Sequence, residues 1–166
     1  MVVVTTSLRP MTEADVPAVT ALEQRAFTEP WSAETLAAEV ARADRRYLVA
    51  VAADGSVAGY GGLKVGGSDA HVLTLAVAPE RRGRGLGTRL LLGLIDAALA
   101  AGVRHLTLEV RVSNAEARAL YRRFGFEPAG IHQCYYPNED ALIMGAKDVD
   151  GVGARRRFDR IREGRG

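Results

Sequence analysis

The chain has 166 residues, of which 48% are hydrophobic and 25% are charged, as is typical of one globular domain that buries a core. Its net charge of +2 is unevenly distributed, because residues 147–166 contain seven basic and four acidic side chains and so carry +3, which leaves −1 for residues 1–146. A near-neutral body argues against nucleic acid as the main partner. Contact with nucleic acid is expected only through the basic tail, 147–166.

Cysteine content and apolar runs indicate the compartment. Cys134 is the one cysteine, so no internal disulfide can form. The opening Met1–Val4 run has no basic flank of the kind that precedes an export signal. No apolar run approaches the roughly 18 residues of a membrane-spanning helix. We therefore predict a cytoplasmic protein with no membrane partner.

Hydrophobic periodicity and turn residues predict the elements in chain order. The first half is predicted to hold a strand, two helices and a run of three antiparallel strands with short turns: Val2–Arg9, Glu13–Ala26, Ser32–Arg42, Tyr47–Ala53, Val57–Val65 and His71–Ala78. The second half is predicted to hold a helix, a buried strand, a helix capped by Asn114 and a closing pair of strands: Leu86–Ala101, Leu106–Val110, Asn114–Phe124, Phe126–Tyr136 and Ala141–Ala146. This order predicts an α/β fold with a mixed, mostly antiparallel sheet of about seven strands and helices on both faces.

A glycine- and arginine-rich stretch, residues 81–88, joins the strand that ends at Ala78 to the helix that begins at Leu86. Glycines allow close approach of a ligand to the backbone, the helix N-terminus offers N–H groups, and arginines pair with phosphate oxygens. We interpret this stretch as a diphosphate cradle. Two other interpretations are a solvated surface turn and a dinucleotide-binding site. In the dinucleotide-binding site, Gly83, Gly85 and Gly87 would form the turn and Glu109 would be the acid that binds the ribose. Against the dinucleotide reading, the cradle follows four strands and carries Thr88 where that fingerprint has its third glycine.

Several motifs resemble the GNAT N-acetyltransferases. The stretch Arg82–Gly87 is similar to the acetyl-CoA motif of that family, and Leu108–Ala115 and Ala119–Phe126 are similar to further blocks. Pro30-Trp31-Ser32 and Tyr135-Tyr136-Pro137 resemble the RimI-like branch, the ribosomal-protein-alanine N-acetyltransferases. The resemblance covers about residues 8–146. It implies the GNAT fold for a domain at 1–146, followed by a basic tail at 147–166 that is either disordered or forms an extra helix near Arg155–Arg162.

The resemblance also implies the site residues. Acetyl-CoA would be the co-substrate, bound by the strand that the family splays from its neighbour, by the cradle and by one amide: Leu75, Ala76, Val77, Arg82, Gly83, Arg84, Gly85, Leu86, Gly87, Thr88 and Asn114. Glu109 resembles the general base, acting directly or through water, and Tyr121 the general acid. The alternatives are an ion pair of Glu109 with Arg111 or Arg104 and simple packing of Tyr121 on its helix face.

Acceptor recognition is expected at three aromatic residues, Trp31, Tyr135 and Tyr136, which could wall a slot for a protein N-terminal peptide, most simply that of a ribosomal protein. The acceptor could instead be a small-molecule amine or a lysine, and the chain could also be a non-catalytic CoA-binding or ribosome-associated module. The histidines His71, His105 and His132 are scattered without cysteine partners, so no metal is expected.

Overall fold

The computed structural model describes residues 6–164. The strands are β1 Ser7–Pro10, β2 Arg45–Val51, β3 Val57–Gly66, β4 Asp69–Val77, β5 His105–Arg111, β6 Glu127–Tyr136 and β7 Glu139–Ala146. The α-helices are α1 Val16–Ala26, α2 Ala33–Ala41, α3 Leu86–Ala100, α4 Ala115–Arg123 and α5 Val152–Arg162. Of the predicted first strand, Val2–Arg9, residues 2–5 lie outside the described residues.

The strands form one seven-stranded sheet in the order β1-β2-β3-β4-β5-β7-β6. Pairing is antiparallel for β1 with β2, β2 with β3, β5 with β7 and β6 with β7, and parallel for β4 with β5. The predicted α/β fold with a mixed, mostly antiparallel sheet is therefore confirmed. The described chain divides into two compact units, the first formed by residues 6–64 and 74–97 and the second by residues 65–73 and 98–164.

Close packing of α3 defines the core of the first unit. Leu90 and Leu94 are fully buried. A Cβ atom at Gly59 would lie 2.9 Å from Leu90 Cδ1, and one at Gly61 would lie 2.9 Å from Leu94 Cδ1. Both distances are shorter than carbon atoms tolerate, so these strand glycines are needed for the helix to approach.

The second unit includes a helix within the tail. Apolar positions of α5 are buried, with Phe158 3% and Ile161 4% exposed. The ring of Phe158 lies 6.1 Å from that of Phe124, which follows α4 directly. The basic side chains of α5 occupy its other positions, so the helix is amphipathic and its apolar face packs on the unit.

Element boundaries differ from the predictions by a few residues, most clearly at α1. The predicted helix from Glu13 is a 3-10 turn over Glu13–Asp15 followed by α1 from Val16. Pro17 explains the break, because it has no N–H to donate to the carbonyl of Glu13 and so cannot continue an α-helical ladder back into the turn. Asp15 fixes the turn instead, accepting from the backbone N–H of Thr12 at 2.8 Å and from the Arg9 guanidinium at 2.7 and 2.8 Å.

Candidate active site

The glycine-rich turn before α3 has the geometry of an anion-binding loop. Gly83 and Gly85 have φ angles of +77° and +80°, and a Cβ atom at either would meet no atom within 4 Å. A residue with a side chain would be disfavoured at these positions by the positive φ angle and not by steric crowding. The first hydrogen bond of α3 runs from Arg89 N–H to the Gly85 carbonyl at 3.1 Å. The N–H groups of Leu86 and Gly87 precede that bond and lie at the positive end of the helix dipole.

Arginines surround this turn. A cavity of about 100 Å³ is lined by Thr6, Arg81, Arg84, Leu86 and Arg89. Arg82 donates from Nε to the Val77 carbonyl at 3.3 Å, which ties the turn to the end of β4. Backbone donors, a helix N-terminus and guanidinium groups together fit a diphosphate.

The ladder between β4 and β5 is short. It joins Asp69 to His105 at one end and Val72 to Leu108 at the other, whereas β4 continues to Val77. The segment Leu75–Val77 therefore lies beyond the last β4–β5 pair. In β5, the residue after the last pair is Glu109.

Among residues 6–164, Glu109 has polar neighbours but no arginine that pairs with it. Its side chain is 19% exposed, and Oε2 lies 3.3 Å from His132 Nδ1 while Oε1 lies 4.0 Å from His71 Nε2. Tyr135 also hydrogen-bonds to Glu109, and burial together with this carboxylate raises the pKa of the Tyr135 phenol. Arg111 and Arg104, the ion-pair partners considered above, bind other carboxylates: Arg111 contacts Glu139 at 3.3 Å, and Arg104 contacts Asp148 and Asp150 at 3.7 and 3.4 Å.

Tyr121 combines a buried ring with an available hydroxyl. The residue is 8% exposed and its ring meets Phe126 edge-on at 5.8 Å. Within residues 6–164 the structure gives its hydroxyl no hydrogen-bond partner. Burial, with the nearby Tyr136 phenol, raises the pKa of Tyr121 to about 12. The group is therefore protonated at neutral pH and can act as a donor.

Asn114 caps α4. Its Oδ1 accepts a hydrogen bond from the Ala117 N–H at 3.1 Å, which satisfies one of the free donors at the helix start. The carbonyl half of the amide is thus used structurally. A cofactor contact by Asn114 would come from its NH₂ group.

A bulge in β6 orients the two neighbouring tyrosines. The register with β7 shifts between His132 and Tyr136, and Cys134 within it has φ +53°. The rings of Tyr135 and Tyr136 meet edge-on at 4.9 Å, and the Arg111 guanidinium lies 4.0 Å over the Tyr136 ring. Bulges redirect side chains at functional edges, and this one brings both tyrosines toward Glu109.

The remaining predicted aromatic residue, Trp31, belongs to the first unit, whereas Glu109, Tyr121, Tyr135 and Tyr136 belong to the second. Trp31 precedes α2, and its backbone N–H donates to Glu23 Oε2 at 3.2 Å. Glu23 is 2% exposed and also accepts from the hydroxyl of the fully buried Tyr60. This buried carboxylate therefore anchors the loop that carries Trp31.

Sequence reasoning missed His132 as a neighbour of Glu109 and Glu139 as the partner of Arg111. Glu139 also accepts from the Ser113 N–H at 3.1 Å and hydroxyl at 2.8 Å. No spacing rule links these positions, because β5 and β6 both pair with β7, which lies between them. Among residues 6–164, no group of three or more His, Cys, Asp or Glu side chains is arranged to hold a metal ion, and no helix combines the length and apolar character needed to cross a bilayer.

The sequence profile described as "Acetyltransferase (GNAT) family" matches residues 16–126. The chain belongs to this family, and the prediction of an N-acetyltransferase with the GNAT fold is confirmed. Within the family it is 41% identical over 139 residues to the ribosomal protein bS18-alanine N-acetyltransferase of Salmonella typhimurium, which covers 81% of this chain and 92% of that protein. The predicted RimI-like resemblance is therefore also confirmed.

Two solved structures place the fold in context. The crystal structure of the ribosomal-protein-S18-alanine N-acetyltransferase from Escherichia coli superposes with a TM-score of 0.81 at 36% identity, covering 87% of this chain and 94% of that one. The structure of nourseothricin acetyltransferase superposes with a TM-score of 0.72 at 27% identity, covering 86% and 98%. The fold is thus similar to enzymes whose names point to different acceptors.

Proposed function

We propose that this protein transfers the acetyl group of acetyl-CoA to the α-amine of a protein N-terminus, and that the acceptor is a ribosomal protein. The observation that carries the catalytic part is Glu109, a largely buried carboxylate at the point of β5 where pairing with β4 has ended. In the part of the chain that the structure describes, it has no arginine partner. The named activities of the relatives in Salmonella and Escherichia support the acceptor class. A ribosomal protein as acceptor would place the reaction in the cytoplasm.

The cofactor proposal depends on the turn before α3. The positive φ angles of Gly83 and Gly85, the helix N-terminus and the nearby arginines fit the pyrophosphate of CoA. We assign the pyrophosphate to the loop, the pantetheine arm to the backbone of Leu75, Ala76 and Val77, and a further contact to Asn114. The loop residues are Arg82, Gly83, Arg84, Gly85, Leu86, Gly87 and Thr88.

The reaction is attack of a neutral amine on a thioester. Glu109 would accept the proton of the amine, directly or through a water molecule, and an α-amine with an ordinary pKa of roughly 7.7–8.0 needs little help to be neutral. Tyr121 would then donate to the departing thiolate. Its pKa of about 12 keeps it protonated until that moment. Tyr135 and Tyr136 would lie against the acceptor peptide beside Glu109, and Trp31 would form a further wall.

Two substitutions test the catalytic assignment. Glu109→Gln and Tyr121→Phe keep the shape of each side chain and remove only the proton acceptor or donor, so each is expected to lower kcat by about 10²–10⁴-fold. Glu116→Gln, an exposed carboxylate on α4, is the matched control and should keep full turnover. If both site variants retain full turnover at saturating acetyl-CoA, the assignment of these residues is wrong although the family membership stands.

The acceptor is tested separately with peptides. A peptide with a free N-terminal alanine is compared with the same peptide bearing a blocked N-terminus and one free lysine, and the acetylated nitrogen is located by mass spectrometry. Acetylation of the α-amine alone supports the proposal. Acetylation confined to the lysine would contradict it.

The second candidate function is acetylation of a small-molecule amine, which the similarity to nourseothricin acetyltransferase favours. Nourseothricin is compared as a free-amine substrate with the peptide at equal concentration. A higher kcat/KM for a free amine than for every N-terminal peptide would replace the first proposal with this one.

A further inference from the structure

A strongly basic surface is formed by two packed helices, α4 and α5. The first carries three arginines and one glutamate, and the second carries five arginines and one aspartate, so the pair has a net charge of +6. Because the whole chain carries +2, all residues outside these two helices carry −4 together. The net positive charge of this protein is therefore concentrated on one pair of helices. The ring of Phe158 in α5 packs against that of Phe124, which follows α4.

Most of these guanidinium groups are not neutralised by the protein itself. Within residues 6–164, the structure gives no hydrogen bond or ion pair to the guanidinium groups of Arg122, Arg155, Arg156, Arg157 or Arg160. Arg156 and Arg160 lie four residues apart on one helix, a spacing at which like charges repel and destabilise the helix. A bound polyanion would remove this repulsion.

The two helices also share a cleft. A cavity of about 420 Å³ is lined by Arg122 from α4 and Arg157 from α5, together with Gly125, Phe126, Pro128 and the carboxylate of Glu127. Gly125 has φ +91°, and a Cβ atom there would lie 2.3 Å from Arg157 Nη1, so the glycine is what allows the guanidinium to lie against the backbone. Two unpartnered guanidinium groups at one open cleft fit a phosphate group, which accepts bidentate hydrogen bonds from arginine.

We propose that the α4–α5 surface binds the phosphate backbone of RNA, with one phosphate seated between Arg122 and Arg157. The positive charge on both helices comes exclusively from arginine, and arginine suits bidentate contacts with phosphate and stacking on exposed bases better than lysine does. The choice of RNA over anionic lipid rests on the proposed function, because a ribosomal-protein acceptor belongs to a particle rich in RNA. The surface would hold the enzyme beside its acceptor without taking part in acetyl transfer.

The test measures RNA binding without acetyl-CoA or acceptor peptide, so its failure is distinct from failure of the proposed function. A fluorescent single-stranded RNA of about 20 nucleotides is titrated with the full chain. If each of the five unpaired arginines contacts one phosphate, the slope of log affinity against log salt concentration should be about −3.5. The affinity should then fall about 100-fold between 50 and 200 mM salt. The triple variant Arg155→Gln/Arg156→Gln/Arg160→Gln should weaken binding at least tenfold and reduce the slope by about 2.

The control variant Arg42→Gln/Arg46→Gln/Lys64→Gln removes the same charge from exposed positions of the first unit. It should bind RNA within about twofold of the unmodified protein. Both variants should keep the kcat/KM of the unmodified protein for a free N-terminal peptide. Equal loss of binding in the two triple variants, no salt dependence, or binding to phosphatidylglycerol vesicles without binding to RNA would each overturn the proposal.

Discussion

The buried carboxylate of Glu23 offers a sharp test of how the loop before α2 is held. Oε2 accepts from the Trp31 N–H at 3.2 Å, and Oε1 accepts from the hydroxyl of Tyr60, which is fully buried. The substitution Glu23→Ala removes both acceptors at once. It leaves the half-buried backbone N–H of Trp31 without this acceptor and the buried Tyr60 hydroxyl with Thr74 as its remaining side-chain partner, and it leaves a cavity.

The expected cost is large for a single residue. A buried hydrogen-bonding group that loses its partner costs about 1–3 kcal/mol, so the loss of two bonds predicts a decrease of about 2–6 kcal/mol in the free energy of unfolding. For a chain of this size, 1 kcal/mol shifts Tm by about 2–4 °C, and the predicted fall in Tm is therefore about 4–24 °C. Glu29→Ala, an exposed glutamate of the same loop, should change the free energy of unfolding by no more than about 0.5 kcal/mol.

The assay is denaturant unfolding of both variants, with pH dependence as the decisive part. Burial raises the pKa of Glu23 above its ordinary value of 4.5, so its protonated form is favoured in the folded state. The contribution of Glu23 to the free energy of unfolding is therefore fully present below pH 4.5, its ordinary pKa. This contribution declines as the pH rises through the higher pKa that Glu23 has in the folded state. Glu23→Gln cannot ionise, and its stability relative to the unmodified protein should therefore rise above pH 4.5. A constant difference across the pH range, or equal effects of Glu23→Ala and Glu29→Ala, would refute the reasoning.

Three further predictions concern the loop, the tail helix and the first turn. Gly85→Ala should weaken CoA binding, measured as loss of the Tm shift that CoA produces, whereas Gly55→Ala, at φ +87° in a turn that is equally uncrowded, should carry the same backbone cost and keep the shift. Phe158→Ala should lower the free energy of unfolding by about 3–5 kcal/mol in denaturant titration, and a loss below about 1 kcal/mol would mean that α5 does not pack on the unit. Hydrogen bonding to the Arg9 guanidinium lowers the pKa of Asp15 to about 2, so the unmodified protein should be roughly 2 kcal/mol more stable than Asp15→Asn at neutral pH, with this advantage declining below pH 4 and lost near pH 2; an advantage independent of pH would contradict it.

Local sequence signals predicted the element order well where side-chain periodicity and breakers agree. Asn114 and Ser32 cap α4 and α2 as expected, since both accept a hydrogen bond from the N–H three residues on. The predicted start of α1 at Glu13 is too early, because Pro17 cannot donate the hydrogen bond that would extend the helix into the preceding turn. The glycines of β3 permit α3 to pack closely, which depends on contacts with residues distant in sequence.

One part of the candidate site is predictable from adjacent residues, and another part depends on contacts distant in sequence. The turn from Arg81 to Thr88 could be interpreted from the chain alone, because its chemistry depends on adjacent residues: glycines with positive φ, arginines and a helix start. The surroundings of Glu109 could not be predicted from the sequence, because β5, β6 and β7 contribute side chains from distant parts of the chain. Which carboxylate pairs with an arginine and which faces the tyrosines is decided by strand order and by the β6 bulge.

What the sequence by itself determined is the family, the order of elements and the chemistry of the phosphate-binding turn, since these are carried by residues close together in the chain. The tertiary structure decided that Glu109 has no arginine partner among residues 6–164, that Tyr121 is buried beside Phe126, and that Arg122 of α4 and Arg157 of α5 line one cavity. Each of these depends on long-range packing, where two segments meet because their apolar faces leave water together. No local pattern encodes which segments meet.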